Sequence, residues 1–165
     1  MEHIHGLLAV KLLLLLAAAN GTPVLTRWIV KDWANASLDG GRRLADGRPL
    51  FGPAKTIRGL VCAIAATALV APLLGFPATT GLAVGAAAML GDLISSFVKR
   101  RLGLPSSAMA LGLDQIPESL LPLIVLWPIL TLTLADAVVI LAIFFGGELL
   151  LSRLLYRLRI RDRPY

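Results

Sequence analysis

An acidic residue within an apolar segment and the basic cluster behind it are the residues of this sequence best suited to chemistry. Asp92 interrupts an apolar run, and Lys99, Arg100 and Arg101 follow it about two helical turns later. Ser96 and Lys99 share the helical face of Asp92, because they follow it at i+4 and i+7. An ionised carboxylate in hydrocarbon is costly unless it meets a cation or lines a wet cavity. Asp92 is therefore either the partner of a lysine or arginine in a buried salt bridge or part of a functional site, and we favour the site.

Two further acids, Asp114 and Glu118, stand across a short glycine-containing loop from the basic cluster. Pro117 is suited to the first turn of a helix, where the helix dipole favours a carboxylate such as Glu118. A turn-forming role for Asp114 and a helix-capping role for Glu118 are therefore the alternatives to a site. Three converging carboxylates repel one another unless a divalent cation holds them, and Mg²⁺ combines one or two carboxylates with phosphate oxygens. The sequence thus predicts a magnesium site formed by Asp92, Asp114 and Glu118, suited to a displacement at phosphorus.

A second basic segment, residues 26–58, is polar and rich in glycine, proline and arginine. Its run from Gly52 to Thr56 invites comparison with a phosphate-binding P-loop, but Pro53-Ala54 precedes the lysine and no strand leads into it. Lys55 and Arg58 can still present positive charge to phosphate. Basic residues beside a membrane also serve as topology markers or as contacts for anionic lipid, which is the alternative.

The elements that must carry these residues are membrane helices. The chain has 165 residues, of which 57% are hydrophobic, and soluble domains usually have about 45–50%. A spanning helix needs about 20 mostly apolar residues. We predict an all-α, polytopic integral membrane protein that forms a single domain over residues 1–165, with five transmembrane helices near residues 4–25, 59–74, 79–97, 119–134 and 137–155. Pro122 and Pro128 are expected to break or kink the fourth of them. A secretory signal peptide is the alternative for the first of these segments.

The positive charges predict the orientation of the chain. The net charge is +6, and fifteen of the sixteen lysines and arginines fall in residues 26–58, residues 98–118 and the tail from residue 153. The positive-inside rule places all three regions in the cytoplasm if the N-terminus is outside and the C-terminus is cytoplasmic. We therefore expect a multi-pass protein of the cell membrane with its active site on the cytoplasmic side, and no nucleic-acid partner.

A pair of glycines in the third predicted span favours close helix packing. Gly81 and Gly85 have the small-xxx-small spacing that lets two membrane helices approach each other. We favour packing within one bundle over a dimer seam, and a homodimer stays open as the alternative.

Three blocks of the sequence are similar to one family of membrane enzymes. The run Ser96-Phe97-Val98-Lys99-Arg100 followed by Asp114 resembles the Ser-x-x-Lys-Arg…Asp core of the CTP-dependent cytidylyltransferases that make CDP-diacylglycerol. Their short archaeal branch, the CDP-archaeol synthases, is the closer match. It also resembles this chain at residues 91–103, at Leu113-Asp114-Gln115, and in the first-loop block at residues 50–59.

The resemblance implies a role for each matching residue. It implies that Asp92 and Asp114 ligate Mg²⁺ and act in catalysis together with Lys99. It implies a substrate-binding set formed by Lys55, Thr56, Arg58, Ser96, Arg100 and Asp39. The larger family continues its aspartate with Arg-x-x-Asp or Arg-x-Asp, whereas Gln115-Ile116-Pro117-Glu118 follows here. Either Glu118 replaces the second acid, or the second metal site is altered or lost.

The sequence predicts a Mg²⁺-dependent nucleotidyltransferase of phospholipid biosynthesis, with CTP and a membrane lipid phosphate as its substrates and a CDP-lipid and pyrophosphate as its products. A non-catalytic membrane protein that binds anionic lipid through basic loops is one alternative. A CDP-alcohol phosphotransferase, suggested by the run from Asp39 to Arg43, is another, although the Ala-Arg step and the paired aspartates of that family are absent.

Overall fold

The computed structural model describes residues 5–31 and 33–160 and is built from five helices. They are α1 (Gly6–Val30), α2 (Ile57–Leu73), α3 (Ala78–Arg101), α4 (Gln115–Leu126) and α5 (Leu134–Arg157). The described ranges contain no strand beyond two isolated bridges in the first loop, so the predicted all-α class is confirmed. The tail residues Arg161 and Arg163, which contribute to the predicted orientation, lie outside the described residues.

Helix α3 is the centre of the bundle, since it packs against α1, α2 and α4, while α5 packs against α1 and α4. The contact between α2 and α3 depends on glycine. A Cβ atom at Gly81 would overlap the backbone of Thr67, and one at Gly85 would overlap the Thr67 hydroxyl. The small-xxx-small pair therefore packs inside the bundle, as the sequence predicts.

Leucine, isoleucine and valine side chains fill the space between α1, α3, α4 and α5. The fully buried members include Leu15, Leu16, Val84, Leu126 and Ile140. Large apolar side chains also cover the outside of the helices, among them Leu69, Leu73 and Leu150, which are 68–83% exposed. An apolar exterior around an apolar core is typical of a protein whose solvent is a bilayer rather than water.

Three of the helices, α1, α3 and α5, are long and apolar enough to cross a membrane. Helix α4, with 12 residues, is roughly 18 Å long, whereas the hydrocarbon core is about 30 Å thick. The fourth helix begins at Gln115 and ends at Leu126, so the predicted span started too late, while the break expected near Pro128 is confirmed and Pro122 lies within the helix. Pro128 has no backbone N–H to continue the helix, and a turn follows Leu126.

The first loop, between α1 and α2, folds as two nested turns. Bridges between Ser37 and Thr56 and between Arg43 and Pro49 close it. Helix α1 continues to Val30 and includes Trp28. The loop consequently leaves α1 near the start of α2, and Lys55 precedes Thr56, the N-cap residue of α2.

Candidate active site

The crossing of α3 and α4 brings two carboxyl groups together. A Cβ atom at Gly91 would overlap the backbone carbonyl of Pro117, so the two helices approach this closely only with glycine at that position. The residues that follow, Asp92 and Glu118, consequently bring their carboxyl groups close together, where they interact electrostatically. Glu118 is buried, with 6% of its surface exposed. Glu118 lies in the first turn of α4, as the helix-dipole alternative expects, and its carboxyl group also faces Asp92 across the helix contact.

Lys55 of the first loop forms an ion pair with Asp92. Its Nζ donates to both carboxylate oxygens of Asp92 at 2.5 Å, and the two side chains are 24% and 21% exposed. Burial alone would lower the pKa of Lys55, but the charge of Asp92 raises it above its ordinary value, so the ammonium stays charged. In the described part of the chain Asp92 is the only hydrogen-bond partner of this ammonium.

A second carboxylate and lysine pair lies at the other end of the site. Lys99 Nζ is 2.5 Å from Asp114 Oδ1 and also donates to the Ala108 carbonyl at 3.1 Å. Asp114 accepts in turn from the Ala110 amide at 2.9 Å. These bonds close the loop between α3 and α4, so Asp114 combines a turn-forming role with a place in the site.

The last two residues of the basic cluster have different roles. Arg100 is 4% exposed and donates to the Pro105 carbonyl at 3.0 Å. Arg101 instead pairs with Asp46 of the first loop at 2.7 Å and lies over the ring of Phe97. Arg48 donates to the carbonyl of Arg101, which joins the turn of the first loop to the end of α3. The cluster therefore supplies two residues, Lys99 and Arg100, to the site and one, Arg101, to the clasp between the loop and α3.

Asp39 holds the first loop together. Its carboxylate accepts hydrogen bonds from the amides of Gly41, Phe51 and Gly52 and from the Ser37 hydroxyl, at 2.8–3.1 Å. Burial raises the pKa of Asp39, but these donors outweigh it and hold the pKa at about 2. The structure thus places the predicted substrate ligand Asp39 inside the loop, where it shapes the segment that ends in Lys55.

Two other predicted substrate ligands anchor the start of α2. The Thr56 hydroxyl caps the helix by accepting from the Gly59 amide at 3.1 Å. The Arg58 guanidinium donates to the carbonyls of Lys31 and Trp33, which fastens α2 to the end of α1. Both side chains also line a small cavity of about 290 Å³ beside the pair of Lys55 and Asp92.

A larger cavity of about 650 Å³ collects most of the predicted site residues. Its polar lining contains both acids and bases. The acids are Asp92, Asp114, Glu118 and Glu148, and the bases are Arg27, Lys31, Lys55, Lys99, Arg100 and Arg159. Ser96 lies between them and is 2% exposed. The carboxylates of the predicted site thus share one hollow even though two of them have a lysine partner.

Helix α5 supplies residues that the sequence pattern did not assign to the site. Glu148 and Ser152 line the larger cavity one turn apart, and Arg159 reaches it from the chain that follows the helix. The i, i+4 spacing of Glu148 and Ser152 indicates that both lie on the same face of α5. Nothing in the sequence shows that this face meets α4, because the contact is set by tertiary packing.

No group of three or more His, Cys, Asp or Glu side chains among the described residues is arranged to hold a metal ion as it stands. Asp92 and Glu118 meet directly, while Asp114 is held by Lys99. The predicted three-carboxylate set is therefore present in one cavity but not assembled around one point.

Comparisons with known proteins give a consistent result. The family model described as CarS-like, CDP-archaeol synthase, matches residues 75–165. The CDP-archaeol synthase of Hyperthermus butylicus is 42% identical over 106 residues, which is 60% of this chain and 60% of that protein. The CDP-archaeol synthase of Pyrococcus abyssi is 32% identical over 158 residues, covering 89% of this chain and 90% of that protein.

A solved structure has the same fold. It is described as an intramembrane enzyme for archaeal membrane lipids biosynthesis, and it superposes with a TM-score of 0.76 at 33% sequence identity. The match covers 87% of this chain and 92% of that chain.

Proposed function

The chain belongs to the CDP-archaeol synthase family, and we propose that it transfers the cytidylyl group of CTP to a membrane lipid phosphate. The products are a CDP-lipid and pyrophosphate, and the reaction belongs to membrane lipid biosynthesis. The names of the relatives support an archaeol-type lipid phosphate as the acceptor.

One observation carries the proposal, which is that a single cavity of about 650 Å³ contains four carboxylates and six basic residues in a chain with an apolar exterior. A nucleoside triphosphate is a large polyanion that needs several cations. A lipid phosphate needs a site that its headgroup can reach from the bilayer. A charged cavity enclosed by apolar helices meets both requirements.

The reaction joins a phosphate oxygen of the lipid to the α-phosphorus of CTP and breaks the bond from that phosphorus to the bridging oxygen of the β-phosphate. The electron pair of the broken bond leaves with pyrophosphate. Lys55, Lys99 and Arg100 neutralise the phosphates, so that two anions can approach and the leaving charge is stabilised. The chain needs to supply little beyond this positioning and charge.

A divalent cation is part of the proposal. The donor set fits Mg²⁺, because the hard carboxylate oxygens of Asp92 and Glu118 meet in the cavity and the Lys55 ammonium lies on Asp92 as a cation would. Asp114 is the third candidate ligand. The ion would supply charge stabilisation at the transferred phosphorus.

The predicted topology also enters as a proposal. The three basic regions would lie on the cytoplasmic side of the cell membrane, where CTP is available, with α2 and α4 as shorter spans. The cavity is lined by the two loops that carry these basic residues, which supports the same side for the active site. A homodimer is an open part of this proposal.

The test uses the full chain in detergent or nanodiscs with CTP labelled at the α-phosphate, Mg²⁺ and a panel of ether-linked and ester-linked lipid phosphates. We expect a labelled CDP-lipid, and Asp92→Asn and Asp114→Asn should each reduce turnover by about 10²-fold or more, as expected when a charge-stabilising group is lost. Arg42→Gln, an exposed change in the first loop, is the control. No CDP-lipid with any acceptor would refute the proposal.

The two alternative functions lose support. A lipid-binding scaffold has no need of four acids in one internal cavity, and the CDP-alcohol phosphotransferase motif at Asp39 has a structural explanation in the loop. The family relationship favours neither of them.

A further inference from the structure

Each of two carboxylates expected to bind a metal already has an ammonium group of this chain as its partner. Lys55 pairs with Asp92 and Lys99 with Asp114, both at 2.5 Å. The charge that a divalent cation would neutralise on these acids is therefore already balanced inside the protein.

The two lysines are held differently. Lys99 lies in α3, is 7% exposed and bonds to the Ala108 carbonyl as well as to Asp114. Lys55 lies in a loop, its side chain is 24% exposed, and in the described part of the chain Asp92 is its only hydrogen-bond partner. Lys55 can therefore leave its carboxylate by rotating its four-carbon stem, whereas Lys99 cannot leave without opening the second loop.

We propose that Lys55 occupies the cation position on Asp92 while the nucleotide is absent and gives it up only when CTP offers phosphate oxygens in exchange. The inference rests on the proposed function, because it assigns an order of binding to the same site. Its consequence is that a divalent cation binds weakly to the free protein and enters together with CTP.

Charge exchange explains the order. A divalent cation that arrives alone must push the Lys55 ammonium off Asp92, its one hydrogen-bonded anion among the described residues, and leave it in a cavity that also contains Lys99 and Arg100. A triphosphate that arrives with the cation supplies an anion in its place, and lysine is a good phosphate partner. Lys55 then exchanges its contact with Asp92 for a contact with a phosphate, and Asp92 becomes available to the divalent cation.

A permanent salt bridge is the competing explanation. In that case Lys55 only ties the first loop to α3, and its removal would loosen the loop without improving metal binding. The two explanations therefore predict opposite changes in metal affinity when the ammonium is removed.

The experiment measures Mn²⁺ binding to the full-length protein in detergent, by the electron paramagnetic resonance signal of free Mn²⁺, with no lipid and no turnover. Without nucleotide, Lys55→Met should bind Mn²⁺ about 5–150-fold more tightly than the wild type, the usual range of coupling between linked sites. The gain should disappear in Lys55→Met with Asp92→Asn. Arg42→Gln, which removes a positive charge from an exposed position of the first loop outside the cavity, is the control and should bind like the wild type.

A measurement on the wild type alone keeps the proposal testable if a variant does not fold. CTP should raise the affinity of the wild type for Mn²⁺, and Mn²⁺ should raise the affinity for CTP by the same factor. Unchanged Mn²⁺ binding in a folded Lys55→Met protein, or equal Mn²⁺ affinity of the wild type with and without CTP, would overturn the proposal. Formation of CDP-lipid by the wild type is assayed separately, so a failure here is distinct from a failure of the proposed function.

Discussion

Replacing Gly91 by alanine tests whether the contact between α3 and α4 builds the site. The added Cβ would overlap the Pro117 carbonyl and crowd the Glu118 amide, both of which are backbone atoms that cannot rotate away. A carbon and an oxygen in contact are about 3.3–3.6 Å apart, so the helices would have to separate by roughly 1 Å. Such overpacking costs about 1–3 kcal/mol of unfolding free energy. A shift of about 1 Å can lower the rate by about 10²-fold.

The assay pairs thermal unfolding in detergent with CDP-lipid formation. Gly146→Ala in α5 is the control, because a Cβ there meets nothing within 4 Å. That variant should keep full turnover and gain about 1 kcal/mol from the better helix propensity of alanine. We expect Gly91→Ala to lose turnover by about 10²-fold even under conditions where it is fully folded. A Gly91→Ala protein with the stability and turnover of the wild type would refute the reasoning that this glycine sets the distance between Asp92 and Glu118.

Two further predictions concern the first loop. Asp46→Arg should lower turnover severalfold, because it releases the first loop from Arg101. The charge exchange Asp46→Arg with Arg101→Asp should restore part of the turnover, because the ion pair is rebuilt. If the two substitutions instead lower turnover additively, the ion pair does not act as a clasp. The folded pKa of Asp39, about 2, lies below its ordinary value of 3.8, so its stabilisation is present above about pH 4 and is lost as the pH falls through 2. The rate of pepsin cleavage within the loop should therefore rise as the pH falls from 3.8 to 2. In Asp39→Asn the cleavage should already be fast at pH 3.8. The same pH dependence of cleavage in both proteins would show that protonation of Asp39 does not open the loop.

Much of the fold could be predicted because the signals are local. Long apolar runs indicated the helices, and the acid of α3 stood out against its apolar neighbours. Hydropathy alone would extend the fourth helix to residue 134, whereas Pro128 indicated the break after Leu126 that the structure shows. Hydropathy measures how apolar a segment is, and it does not show whether the backbone stays helical.

The site was predictable where neighbours in sequence are neighbours in space, and less so elsewhere. The meeting of Asp92 with Glu118 could be anticipated from the short loop between their helices. The pairing of Lys55 with Asp92 joins residues 37 positions apart, and Glu148 reaches the cavity from α5. Asp39 shows that a residue of a recognised sequence motif can have a structural role instead. Its carboxylate oxygens accept hydrogen bonds from amides of its own loop.

The site depends on helix packing as much as on its loops. Gly81 and Gly85 let α3 approach α2, whose N-cap residue follows Lys55, and Gly91 lets α3 approach the start of α4. Each contact therefore sets the distance from Asp92 to one of its partners, Lys55 on one side and Glu118 on the other. Because packed helices shift as units, a change in these small residues should alter catalysis without touching a charged group. In the proposed reaction the charged residues would supply the chemistry, and the glycines of α3 determine how closely those residues approach one another.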